Sequence, residues 1–246
     1  MHRWSSLAIV AGLFLALKAQ ALTPQQILEK SDENVTKVQD QQYDASMAVF
    51  ENGKLLKTVT MTIALKGLYK KLIRFTGPSD VKGMSILTLE DGIMYVYLPT
   101  YKKIRRVASH VKEQGFMGSD FEYDDMAQSA LSSFYNAYLI DENKDEWNLK
   151  LTPKPGSNAS RSRLDVTVRK EGFITNKVTV YTETGAKYKT QIRSNYQNFS
   201  GLFLPQRIEI ISHISNHKSV LDFTNVRSNK GLSDDMFTKR VLMREE

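Results

Sequence analysis

Met94 to Met126 reads MYVYLPTYKKIRRVASHVKEQGFMGSDFEYDDM. Its first five residues alternate: Met94, Val96 and Leu98 share one face of an expected strand, and Tyr95 and Tyr97 share the other. Pro99 ends that strand, because proline lacks the backbone donor a ladder needs. Lys102, Lys103, Arg105 and Arg106 then crowd around Ile104, and after Gly115-Phe116-Met117-Gly118 the charge reverses through Asp120, Glu122, Asp124 and Asp125. Two glycines bracket an apolar pair on backbone free to take positive φ. Ser119 or Asp120 is placed to cap a short helical turn beginning near Phe121. Arg105 and Arg106 are read as partners of Asp120, Asp124 or Asp125, holding the acidic limb to the strand, with lipid phosphate as the alternative. On an alternating strand only one of these two arginines faces inward.

Outward from this stretch the chain is rich in strands. Upstream, Thr23-Pro24 with Gln26 is a helix start, with Thr23 as N-cap and Gln26 completing a capping box, and the helix turns Ile27, Leu28 and Val35 toward a core before stopping near Val38. Alternating runs follow at Tyr43–Val49, Val59–Leu65, Tyr69–Phe75 and Met84–Leu89, punctuated by Asn52-Gly53, Gly67, Gly77-Pro78 and Asp91-Gly92. Between Ser119 and Tyr138 the period changes to that of a helix or two short ones, carrying Met126, Ala130, Leu131 and Phe134 on one side. Strands resume at Trp147–Leu151, Leu164–Val168, Val178–Tyr181, Lys187–Tyr196, Arg207–Ile211 and Lys218–Val226, and Leu232–Leu242 reads as a closing turn that docks on the sheet. The sum is a mainly β chain: a strongly curved antiparallel sheet of about eleven strands, with an N-terminal helix and a short helical insertion as a lid.

A spaced set of residues gives this pattern a family likeness. Phe75-Thr76-Gly77-Pro78, Val81-Lys82-Gly83, Tyr97-Leu98-Pro99, Ile104-Arg105-Arg106, Phe116-Met117-Gly118-Ser119-Asp120-Phe121 and Tyr123-Asp124-Asp125 together resemble the bacterial outer membrane lipoprotein-sorting protein family, which is LolA-like. The resemblance implies an incomplete β-barrel whose opening is plugged by helices and whose cavity receives acyl chains. It implies as partners lipid or lipoprotein acyl chains, and an inner-membrane exporter or an outer-membrane acceptor. The candidate cargo and lid residues are Tyr95, Tyr97, Leu98, Arg105 and Arg106 on the strand and basic limb, and Phe116, Met117, Gly118, Ser119, Asp120, Tyr123 and Met126 beyond it. Phe116, Met117 and Met126 fit an ordinary core and an adaptable lipid site equally well.

Residues 1–21 read as a Sec-type signal peptide: a basic start at His2-Arg3, an apolar stretch from Leu7 to Leu17, and Ala19-Gln20-Ala21 before the expected cleavage site. Lys18 stops the apolar run short of the roughly 20 residues a membrane span needs. The expectation is a single domain over 22–246, released to the periplasm. Leu22 stands where a lipoprotein has its acylated cysteine, and the chain has no cysteine at all, so no lipid anchor and no disulfide are expected. Losing Arg3 and Lys18 lowers the formal net charge from +7 to +5, a modest excess spread along the chain. With export, it argues against nucleic acid even where Tyr95, Tyr97 and Tyr101 adjoin the basic run.

Chemistry finds little footing. No G-x-S-x-G elbow is present, and Gly115 to Ser119 lacks the second glycine in the required place. His213 and His217 fall at an expected hairpin with no third ligand near. Ser119 and Asp120 with His110 as base make a weaker case than local capping. No catalytic, cofactor or metal residue is assigned, and a monomeric, non-enzymatic carrier is expected. The alternative is a non-enzymatic periplasmic accessory module of an inner-membrane exporter, without lipid cargo.

Overall fold

The computed structural model describes residues 21–67, 69–90, 93–108, 115–126, 130–199 and 202–244. Helix α1 (Pro24–Thr36) starts as its sequence requires: Thr23 Oγ1 accepts from the Gln26 amide at 3.2 Å, and Gln26 Oε1 accepts from the Thr23 amide at 2.9 Å. Six strands follow: β1 (Asp40–Glu51), β2 (Lys54–Lys66), β3 (Lys70–Gly77), β4 (Ser85–Thr88), β5 (Met94–Leu98) and β6 (Lys103–Arg106). After the short helices α2 (Tyr123–Met126) and α3 (Leu131–Phe134) come β7 (Tyr135–Glu142), β8 (Glu146–Pro153), β9 (Leu164–Arg169), β10 (Ile174–Tyr181), β11 (Lys187–Phe199), β12 (Leu202–Ser212) and β13 (His217–Ser228). Helix α4 (Lys239–Leu242) closes the described chain. The side chains of Val35 and Met126, the Asp91-Gly92 turn and His110 lie outside the described residues.

All thirteen strands form one antiparallel sheet in the order β6-β5-β4-β3-β2-β1-β13-β12-β11-β10-β9-β8-β7. Neighbours in the sheet are neighbours in sequence, except where β1 meets β13. The chain therefore starts mid-sheet, runs to one edge at β6, crosses to the far edge at β7, and returns. Residues 107–134, which include the Phe-Met-Gly-Ser-Asp motif, are that crossing. The sheet is curved and unclosed, as expected, with thirteen strands rather than about eleven. The two additional strands are its edges. β6 is the basic run itself, too charged and short to alternate. In β7 the consecutive Tyr138, Leu139 and Ile140 break the period-2 pattern, so a strand occupies part of what reads as helical insertion.

Alternation sorts side chains onto two faces. Met47, Val59, Met61, Ile63, Ile73, Phe75, Ile86 and Met94 share the inner face with Phe116 and Phe121 of the crossing. On the same face of β7–β10, Leu149, Leu151, Val166, Val168 and Val180 pack against Ile27 and Leu28 of α1. The outer face of β2–β4 holds Ala64, Leu72 and Leu87, sealed by Phe237, Val241 and Leu242. The closing segment thus docks on the sheet, and on its outer side. Lys71, Ile73 and Phe75 alternate inward. Lys70 and Arg74 point outward, to Asp234 at 2.8 Å and to the carbonyl oxygens of Val241 and Arg244.

Candidate functional site

The inner face is the one with something to hold, and its curvature can be read from the crossing. β3 and β11 are five strand spacings apart, about 24 Å along a flat sheet. A segment folded back on itself by the Gly115–Glu122 bridge nonetheless touches both, with Phe116 on Phe75 of β3 and Glu122 on Lys189 of β11. Only a sheet curled over this face lets it do so.

The crossing plugs part of the concavity. Phe116 is buried between Phe75 and Tyr123, with ring centroids 5.5 and 5.2 Å away. The Phe116 amide donates to the Phe121 carbonyl at 2.6 Å, and Gly115 and Glu122 form an isolated bridge. A Cβ on Gly115 would lie 2.8 Å from the Ser119 carbonyl oxygen, so that close approach needs glycine. Met117 and Gly118 both take left-handed φ, 53° and 65°. The Met117 carbonyl accepts from Lys57 Nζ. Ser119 caps no helix: its hydroxyl donates to the Phe116 carbonyl at 2.6 Å and closes the turn.

Asp120 and Asp125 find partners other than those expected, and the side chain of Asp124, the third expected partner, lies outside the described residues. Asp120 lies 2.8 Å from His217 Nδ1 and accepts from Ser219 Oγ at 2.7 Å, both on β13. Glu122, 2 % exposed, takes Arg161 at 2.6 Å, Lys189 at 3.0 Å and the Tyr188 hydroxyl at 2.9 Å. Asp125 takes Lys189 at 2.5 Å. The plug is therefore bolted to β11, β13 and the loop before β9. Among the described residues no ion pair joins the acidic limb to Arg105 or Arg106. Those two side chains are exposed, and the long reach across the concavity favours residues already on the inner face. Burial, followed by its bond to Glu122, pushes the Tyr188 hydroxyl up to about 12. Burial raises Asp125, against the pull of Lys189.

The other sequence candidates divide by face. Arg105 pairs across the ladder with Val96 and Arg106 with Tyr95, so they point to opposite sides. Tyr95 and Tyr97 belong to the outer cluster, where Lys239 sits 4.1 Å from the Tyr95 ring. Leu98, Met117 and Tyr123 pack on the inner core. Absent from the sequence candidates are Lys71, Arg161, Lys189 and Arg193. Lys71 carried a signal, a cation in the apolar phase of β3. β11 reads KYKTQIRSNYQNF and has too little alternation to mark Lys189 and Arg193.

Between the areas covered by the plug and by α1, the inner face keeps partly exposed apolar groups: Tyr43, Ile208, Leu221 and Phe223. Tyr43 and Phe223 meet edge to face at 5.0 Å. A shallow depression of about 630 Å³ between the tips of two hairpins is lined by Phe50, Asn52, Asn216 and Lys218, which lie outside this inward phase. His213 bonds Thr190, and His217 is held by Asp120. Among the described residues no group of His, Asp and Glu is arranged to hold a metal.

The comparisons agree with this architecture. A family model described as an uncharacterized protein matches residues 67–244, more than half of the chain. A DUF1329 family protein from Desulfovibrio piger superposes with a TM-score of 0.83 at 26% identity, covering 90% of this chain and 100% of its own. A domain from Vibrio parahaemolyticus named as an outer membrane lipoprotein-sorting protein gives 0.78 at 24% identity, over 88% of this chain and 98% of its own. A LolA superfamily protein from Nitrosomonas europaea gives 0.74 at 23% identity, over 90% and 100%. The chain belongs to the family that this model describes, and it shares its fold with the LolA superfamily protein. No curated protein matches it. No helix among the described residues is long and apolar enough to cross a membrane.

Proposed function

We propose that this chain is a periplasmic carrier or chaperone that binds lipid or lipoprotein acyl chains on the concave face of its sheet. It hands them to an envelope partner, in outer membrane lipoprotein sorting or lipid transport. The observation that carries this reading is the apolar strip of Tyr43, Ile208, Leu221 and Phe223, left partly open between plug and helix. An acyl chain laid there gains about 0.8 kcal/mol for each methylene removed from water, enough for reversible binding without a covalent step. Residues 1–21 act as the export signal, and 22–246 form the one carrier domain. The reading needs no cofactor and no catalytic group. The LolA superfamily and lipoprotein-sorting neighbours support the class of cargo.

A second reading is an accessory module that docks on an inner-membrane exporter without cargo. Tyr138, Leu139 and Ile140 favour it: they are 54, 46 and 49 % exposed on the edge strand β7, and exposed apolar edges are recognised by partners.

The two part company on a fluorescent fatty-acid uptake assay. Leu221→Trp, which fills the strip, is expected to abolish uptake, whereas Ile192→Trp on the outer face is expected to leave it unchanged. A wild-type protein that takes up no probe, or equal uptake by both variants, contradicts the carrier reading.

A further inference from the structure

Neighbouring strands are antiparallel throughout, so the β1–β2, β5–β6 and β12–β13 turns lie at one end of the sheet. The most exposed large apolar side chains among the described residues stand at that end: Ile214 at 67 %, Tyr101 at 66 %, Leu55 at 57 % and Leu56 at 55 %. Two of these turns form one body. Glu51 pairs with His217 in the β1–β13 ladder, the Asn52 amide donates to the Asn216 carbonyl at 2.8 Å, and Asn216 Nδ2 donates to Asn52 Oδ1 at 3.1 Å. This twin tip also projects. β2 first meets β3 at Thr60, so on that side residues 54–59 overhang the sheet by about 20 Å at the rise of a strand. A hairpin tip in water is ordinarily polar, and consecutive exposed leucines there mark a surface that meets something apolar.

Charge at the three turns is of one sign apart from Glu51. Lys54 and Lys57 flank the leucines, and Lys102 and Lys103 follow Tyr101. Lys218, beside the twin tip, lies 3.4 Å from Glu209. A protruding apolar tip ringed by lysines suits the headgroup region of an anionic bilayer, where lysine stems lie along the acyl boundary and their ammonium groups reach phosphate. A rigid protein partner must offer a matching groove, whereas a fluid bilayer closes around a projecting tip. We propose that the twin tip docks on an anionic phospholipid membrane, with Leu55, Leu56 and Ile214 entering the acyl boundary and the neighbouring lysines meeting headgroup phosphates. Lys57 also donates to the Met117 carbonyl, so the membrane is met beside the plug. Docking of this kind does not depend on where cargo sits, and it stands if the carrier reading falls.

The test is flotation of the purified protein with phosphatidylcholine vesicles containing phosphatidylglycerol, against vesicles of phosphatidylcholine alone. The wild type is expected to bind the anionic vesicles about tenfold or more tighter than the neutral ones. Leu55→Ser with Leu56→Ser is expected to weaken that binding about tenfold, with the melting temperature unchanged because both side chains are exposed. Tryptophan emission of Ile214→Trp is expected to shift to the blue on the anionic vesicles. Leu221→Trp, with its apolar strip filled, is expected to float as the wild type does. Loss of flotation in Leu221→Trp assigns vesicle binding to cargo uptake and overturns the docking site. A wild type that floats with neither vesicle, or equally with both, overturns it and leaves the carrier reading intact. Equal flotation of the wild type and the leucine variant, or an unshifted Ile214→Trp emission, overturns it too. A wild-type dimer in sedimentation that the leucine variant dissolves, without flotation, gives the tip to a second copy of the chain and overturns membrane docking.

Discussion

Glu122 shows how one side chain sets the position of the plug. Its carboxylate is almost wholly buried and takes a guanidinium from the loop before β9 and an ammonium and a phenol from β11. Removing one member of a buried ionic set leaves the others uncompensated, at about 3 kcal/mol or more. Glu122→Gln is therefore expected to lower unfolding free energy by about 3 kcal/mol, measured by urea denaturation. Arg105→Ala with Arg106→Ala, by contrast, is expected to change it by less than about 1 kcal/mol, because both arginines are exposed and, among the described residues, make no ion pair with the plug. Lys71 gives a pH signature. Burial, then the charge of Arg193, depresses its amine to about 8. The folded pKa lies below the unfolded one, so the unfolded chain binds more protons between about pH 8 and 10 and stability rises with pH across that window. Below the folded pKa that contribution is lost. Wild-type melting temperature is expected to climb from pH 8 to 9.5, and Lys71→Met to flatten the climb. Charge on the inner face was the least legible feature in the sequence, because the curl that brings β3 to β11 is a property of the whole sheet.

At the scale of elements, the terminal segment is as structural as any strand. Asp40 opens β1, and burial works against its charge, but the amides of Lys230, Gly231 and Leu232 donate to its carboxylate at 2.7, 2.8 and 3.1 Å and hold its pKa below the usual carboxylate range. That clamp directs the chain over the outer face, where Phe237, Val241 and Leu242 are buried. Phe237→Ala is expected to cost about 3–5 kcal/mol through the cavity it leaves, measured by chemical denaturation. A loss below about 1 kcal/mol is the result expected of a segment merely resting on the surface. The capping box of α1, the Asn52-Gly53 hairpin and the docked tail were legible because each rests on local chemistry or on strict periodicity. Ser119 and Asp120 misled as caps: their motif is local, but their partners are Phe116 within the turn and His217 and Ser219 on β13. The missing edge strands have the same explanation from the other side. An edge is half-paired, so β6 and β7 tolerate charge and exposed apolar residues that a central strand does not.

At the scale of the molecule, the order of strands explains why the Phe-Met-Gly-Ser-Asp segment is a plug. β6 and β7 adjoin in sequence and stand at opposite ends of the sheet, so the segment joining them must cross the open side of the curl. Its apolar residues then meet the inner face and its acids meet β11 and β13. The same path leaves an apolar strip between plug and α1, and that strip is the ground for the proposal of an acyl-chain carrier. The most direct measurement is native mass spectrometry of the protein purified from the envelope of its own host, with lipid extraction of the same sample. One acyl-bearing molecule per chain, released on extraction, is the expected result. A protein that arrives empty and takes up no added lipid would contradict the carrier account.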